Sequence, residues 1–164
     1  MTFAIRRADP ADFERVGTLT VQAYIEDGHI PAGSEYADTL ADAASRACDA
    51  ELWVAVDDAT GSVLGSVTFA APGSPYLEVA GPREGEFRML AVAHEARGLG
   101  VGAALVQHVI GRARELGLTG LAMSTQPTML SAHRIYQRLG FERTPDRDWS
   151  PVPGVELLTY RLAL

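Results

Sequence analysis

The sequence predicts a mixed α/β fold in a single domain, and three observations carry that prediction. The chain has 164 residues, close to the size of one domain. Stretches of apolar–polar alternation, the mark of strands, are interleaved with stretches of helical spacing. A glycine-rich turn at Gly98–Gly102 lies between a strand pattern and a helix pattern, making a strand–helix–strand unit whose two strands run parallel.

The elements follow in order. Phe3–Arg6 alternates as a strand. Asp9-Pro10-Ala11-Asp12 reads as a helix start, with Asp at the cap, Pro at the first position and an acid at the third. Phe13, Val16, Thr20, Ala23 and Tyr24 keep helical spacing, and Gly28, Pro31 and Gly33 break it. Ser34 caps a second helix carrying Tyr36, Leu40, Ala43, Ala44 and Ala47 on one face. Glu51–Val56 and Ser62–Ala70 flank the turn Asp57–Gly61 as a hairpin. Pro72–Gly85 is a loop, and Glu86–Val92 is the next strand. A helix runs from Val101 to Leu116 and ends at Gly117. Thr119–Ser124 is a strand. Pro127 and Thr128 open a helix with Ala132, Ile135, Tyr136 and Leu139 on one face, closed by Gly140. Phe141 begins a short strand, Thr144–Gly154 is a loop, and Val155–Ala163 is the last strand. The predicted order is β-α-α-β-β-β-α-β-α-β-β.

Composition narrows the function. Hydrophobic residues make up 47% and charged residues 21%, as in a globular protein rather than a disordered one. The 14 cations and 21 carboxylates leave a net charge of −7, which argues against nucleic acid as the main partner. Cys48 is the one cysteine, so an internal disulfide framework and a cysteine-based zinc cluster are excluded. No stretch approaches the ~20 apolar residues of a membrane span. The opening MTFAIRRADP lacks the basic-then-apolar pattern of a secretory leader, so the cytoplasm is the expected location. Every cation is Arg; without Lys there is no Schiff-base chemistry and no P-loop lysine.

The most specific signal is Val92–Leu105, in which a strand enters a turn holding Gly98, Gly100 and Gly102 and leaves as a helix. Glycine allows close approach of backbone to a ligand. The free N–H groups and dipole of a helix start make an anion site, and Arg97 adds a fixed charge with forked donors. A diphosphate is the natural occupant. Two other readings stand beside this one. Gly98–Ala103 also fits the dinucleotide fingerprint G-x-G-x-x-A, but Leu121–Thr128 carries no acid for the ribose. Alternatively, the glycines only permit tight packing.

Arg97-x-x-Gly100-x-Gly102 resembles the coenzyme A motif R/Q-x-x-G-x-G/A of the GNAT family of N-acetyltransferases. Leu90-Ala91-Val92 resembles the strand before that motif, and Ala132-x-x-Ile135-Tyr136-x-x-Leu139-Gly140-Phe141 resembles the second signature, A-x-x-L-Y-x-x-L-G-F. One departure is Met129, where the family often has Asn. The motifs cover about 86–141, while the order of elements is similar over nearly the whole chain. The resemblance implies a GNAT-like acyl-CoA N-acyltransferase fold, with a twisted mixed sheet, as a single domain over 1–164. It implies acetyl-CoA as cosubstrate, held by Leu90, Ala91, Val92, Arg97, Gly98, Leu99, Gly100, Val101, Gly102 and Ala103. No metal is expected, and the acceptor is a small-molecule amine or a peptide N-terminus.

Acetyl transfer to an amine needs a base, a polarised carbonyl and a protonated leaving thiolate. Glu86, at the start of the motif strand, resembles the family's catalytic glutamate; it reads as the base or as a solvated strand end. Tyr136 shares the apolar face of its helix, and the resemblance sets its hydroxyl beside the coenzyme sulfur as the acid; the other reading is a core tyrosine. Backbone N–H groups of Leu90–Val92 would polarise the carbonyl if a bulge freed them. Tyr24 and Trp149 are the expected acceptor-binding aromatics, with Tyr36 and Tyr76 also available. Asp27, Glu35, Asp146 and Asp148 offer attraction for a cationic amine. His94-Glu95 is not a metalloprotease motif, because Gly98 stands where the second His belongs. Arg134 and Arg138 read as a solvated stripe or as phosphate contacts. A non-catalytic acyl-CoA sensing module on the same fold is the alternative function, and a homodimer is compatible with either.

Overall fold

The computed structural model describes residues 2–164. Five helices and eight strands form it: β1 Phe3–Arg7, α1 Phe13–Val21, α2 Tyr36–Ala41, α3 Ala43–Asp49, β2 Glu51–Asp57, β3 Val63–Ala70, β4 Glu84–Val92, α4 Val101–Glu115, β5 Gly120–Thr125, α5 Leu130–Arg138, β6 Glu142–Arg143, β7 Trp149–Val152 and β8 Val155–Ala163. The strands form a mixed sheet ordered β1-β2-β3-β4-β5-β8-β6, with β7 paired to β8 off that path. β4 and β5 are parallel, as the strand–helix–strand pattern predicted.

Three local predictions are corrected. The expected second helix is two, because Asp42 leaves the helical region (φ −83°, ψ 71°) and its carboxylate accepts the Ser45 N–H to start α3. The expected loop Thr144–Gly154 contains β7, which folds back on β8. The strand expected at Glu86 begins at Glu84. In addition, α1 runs on into one π-helical turn over Gln22–Glu26.

Helices cover both sheet faces. α4 lays Val101, Leu105, Val106 and Val109 on Leu64, Val67, Phe69, Phe87 and Leu121. On the other face Val16 and Leu19 of α1 and Ala43 of α3 meet Leu52, Val54 and Ala91. Each fully buried side chain of this kind stabilises the fold by about 1.5–3 kcal/mol relative to exposure.

One irregularity positions the site. On β3, Ser66 pairs with Ala91 and Thr68 with Arg88, so β4 carries one extra residue between them. Met89 takes φ 55°, in the left-handed region, at a cost of about 1–2 kcal/mol. This is a β-bulge, and it reverses the strand's facing. Phe87 packs under α4 before the bulge; Leu90 and Val92 do so after it, while Ala91 turns to the α1 face. Parallel pairing with β5 spans only Glu84–Phe87 against Gly120–Met123. Past the bulge the two strands part.

Candidate active site

The cleft opens where β4 and β5 separate, with a volume of about 770 Å³. Leu90, Ala91 and Val92 form one wall. The turn from Arg97 through Ala103 forms the floor, without Leu99. Thr128–Ala132 and Ile135, at the start of α5, form the opposite wall, and Ala23, Tyr24, Asp27 and His29 close one end.

The turn owes its shape to glycine. Gly100 caps α4 in the left-handed conformation (φ 83°) and has no side chain to bond the helix start. The first N–H groups of α4 therefore lack helix partners, and a 15-residue dipole stands behind them. A Cβ on Gly102 would lie 3.2 Å from Ile135 Cδ1, so glycine lets α4 and α5 approach at the cleft. Arg97, Arg134 and Arg138 all line it. Together these make an anion site in a chain of net charge −7. Arg97 meets the carboxylate of Asp27, which is also 3.6 Å from His94 Nε2. His29 Nδ1 lies 2.8 Å from Thr128 Oγ1. The segment Asp27–His29 thus ties the floor of the cleft to its α5 wall.

Glu86 is not a solvated strand end. It is 1% exposed, and its Oε1 accepts the backbone N–H groups of Glu78, Val79 and Ala80 at 2.8–3.0 Å. Burial pushes its carboxyl above the ordinary carboxylate range, against the pull of those hydrogen bonds. Glu84, on the same face of β4, is buried against Arg147 and Arg161. Burial alone would raise its pKa, but the hydrogen bonds from these two arginines prevail and hold it at about 2.

Tyr136 is buried, its ring among Phe87, Phe141 and Tyr160, and burial raises its hydroxyl pKa. It stands behind the cleft wall formed by Ala132 and Ile135. Tyr24 lines the cleft, and burial likewise raises its pKa.

Four predicted residues do not line the cleft: Glu86 and Tyr136, both buried, and Leu99 and Trp149. Leu99 points to solvent at the tip of the turn and is 47% exposed, because only the backbone there faces the cleft. Trp149 is off the cleft on β7, its indole N–H held by Ser124 Oγ at 3.0 Å. The acids expected to attract an amine are partly spent within the chain: Asp27 on Arg97, and Asp148 on Arg143. Residues missed as a group are Thr128–Ser131 and His29. His29, Thr128 and Met129 sit in irregular segments that have no periodicity to read, and Leu130 and Ser131 open α5; Met129 marked the departure from the second signature.

Among the described residues, no group of three His, Cys, Asp or Glu side chains is placed to hold a metal ion, and no helix is long and apolar enough to cross a membrane.

The sequence model of the Acetyltransferase (GNAT) family matches residues 4–141. An uncharacterized N-acetyltransferase of Schizosaccharomyces pombe is 34% identical over 98 residues, covering 60% of this chain and 56% of that protein. The chain spans about half the length of the curated relatives it matches. Among solved structures, a GNAT protein of Kribbella flavida aligns at a TM-score of 0.72 with 26% identity, over 99% of this chain and 98% of that one. An acetyltransferase of Salmonella typhimurium, solved with acetyl-CoA, aligns at a TM-score of 0.72 with 20% identity, over 100% and 95%.

Proposed function

The chain belongs to the GNAT acetyltransferase family, and from that premise we propose that it moves an acetyl group from acetyl-CoA to a primary amine of a small molecule or a peptide N-terminus, directly, in a ternary complex. The observation that carries this reading is the cleft itself: an uncapped helix start beside a strand edge freed by a bulge.

The α4 N–H groups, with Arg97, Arg134 and Arg138, bind the diphosphate. Asp27 yields Arg97 to it. The freed edge of Leu90–Val92 pairs with the extended arm of the cosubstrate and offers N–H groups to the thioester carbonyl. Acetyl-CoA supplies an activated acyl group. Glu86 is held through Oε1 by the 78–80 loop and takes the ammonium proton through its other oxygen, directly or by one water. The amine nitrogen then bonds the acetyl carbon as the carbon–sulfur bond breaks. Tyr136 gives its hydroxyl proton to the departing sulfur and is reprotonated, directly or through water, by the second proton that the nitrogen sheds as it becomes an amide. Tyr24 bounds the acceptor side. Holding both reactants in one cleft supplies much of the acceleration.

Thermal unfolding with and without acetyl-CoA, with NADH as control, tests the cosubstrate. A ligand at 100 times its Kd adds about 2.7 kcal/mol of stability. Stabilisation by acetyl-CoA alone, followed by thiol release with an amine panel, supports the reading. Binding with no turnover on any amine replaces it with a sensing module. No stabilisation at millimolar acetyl-CoA overturns the site.

A further inference from the structure

Arg46 is among the largest side chains fully buried in the fold and is 1% exposed. Its Nη1 donates to the carbonyls of Thr39 and Leu40, at the end of α2, at 3.0 and 2.9 Å. Its Nε and Nη2 are covered and have no partner, and among the described residues no carboxylate pairs with it. A buried cation is tolerated when an anion compensates it.

A second guanidinium lies on the same side of the sheet. Arg88 follows Glu86 by two residues on β4, about 6.8 Å along the strand. It donates from Nη2 to the Tyr36 hydroxyl at 3.3 Å and from Nη1 to the Tyr76 carbonyl at 3.2 Å. Two carboxylates feel its charge: the exposed side chain of Glu78 at 3.8 Å, and Glu86 on the same face of β4. Tyr36 belongs to α2, whose last carbonyls hold Arg46, so the two guanidiniums flank one helix. The charges of both reach Tyr24, which lines the cosubstrate cleft. Thr68, the cross-strand partner of Arg88, also has a covered hydroxyl with no partner.

We propose that Arg46 and Arg88 form a carboxylate subsite beside Glu86, so that the acceptor is an α-amino acid or a similarly compact amino carboxylate. The proposal rests on the acetyl-transfer reading for its placement. Glu86 receives the proton of the amine while Arg88 engages the carboxylate with its forked donors, and Arg46 supplies the charge behind it. Arg46, buried without a carboxylate partner in a chain of net charge −7, points to recognition of an anion rather than to general surface balance.

Two measurements on the whole chain test this. The first follows thiol release with the α-amino acids and, for each, its carboxamide and its decarboxylated amine. The second is a calorimetric titration of the CoA-loaded protein with N-acetyl amino acids and N-acetyl amino amides, which needs no turnover. The expected kcat/KM for the acid exceeds that for the amide by about 100-fold or more. Arg88→Gln brings that ratio within about tenfold, mainly through KM, with unfolding temperature little changed. Arg46→Lys keeps the charge but loses the fork, and narrows the same ratio if the variant folds. Amides or plain amines acetylated as well as the acids, or a ratio untouched by Arg88→Gln, overturns the subsite and leaves acetyl transfer standing. Tighter binding of N-acetyl acids than of amides, without turnover, keeps the subsite and removes the transfer. Absence of both removes both.

Discussion

At Glu86 one carboxylate holds a loop and is the proposed base, and a single substitution separates the two roles. Its Oε1 holds three backbone N–H groups of the 78–80 loop, and its other oxygen is the one proposed to take the proton. Glu86→Gln retains an oxygen acceptor for the loop but cannot take a proton. It is therefore expected to lower kcat by about 10²–10⁴-fold with little change in unfolding temperature; an unchanged kcat removes Glu86 from catalysis. The base works deprotonated, and burial raises its pKa. Activity therefore falls as pH drops through a value above the ordinary carboxylate range, and this acid limb disappears from any residual Glu86→Gln activity. Tyr136→Phe deletes one hydroxyl from a ring packed on Phe87, Phe141 and Tyr160. It is expected to lower kcat about tenfold or more while leaving the Kd for acetyl-CoA unchanged in a titration. Both were readable as candidates, Tyr136 from the second signature and Glu86 from its place at the start of the motif strand. The partners of Glu86 were not, because the 78–80 loop has no pattern that fixes where its N–H groups point.

At the scale of elements, the glycine turn was the clearest signal and the bulge was invisible. Gly100 takes φ 83° with nothing within 4 Å of an added Cβ, so substitution there strains the backbone rather than the packing. Gly100→Ala is expected to cost about 1–2 kcal/mol in a denaturant melt and to weaken acetyl-CoA binding by more than that loss explains. Equal affinity in the folded variant would separate the turn from the ligand. Met89, in contrast, is an ordinary residue by composition. Its positive φ arises because β4 must pair with β3 on one side and part from β5 on the other. β7 was missed for a related reason: Trp149-Ser150-Pro151-Val152 reads as a loop, and only β8 beside it supplies the partner that makes it a strand.

For the whole molecule, Glu84 links distant parts of the chain: β4, the turn at Arg147, and β8 through Arg161. Its pKa is about 2 in the fold, against an ordinary value of 4.5. A depressed carboxylate stabilises the fold fully above its unfolded pKa, and that contribution fades as pH falls from about 4.5 towards 2. Melts across this window should show the loss, and Glu84→Gln should flatten it; an unaltered slope would dismiss the pairing as a source of acid sensitivity. The mixed α/β class, most strand and helix positions and the glycine turn followed from sequence alone, and the family resemblance named the candidate acid and base. Periodicity, caps and short motifs are local, and local patterns survive without a partner. Tertiary structure alone decided where β4 leaves β5, which irregular segments close the cleft, and that two arginines far apart in the chain flank one helix. Those features exist only once non-neighbouring segments are packed, because each is set by what lies across the gap and not by the residues beside it in sequence.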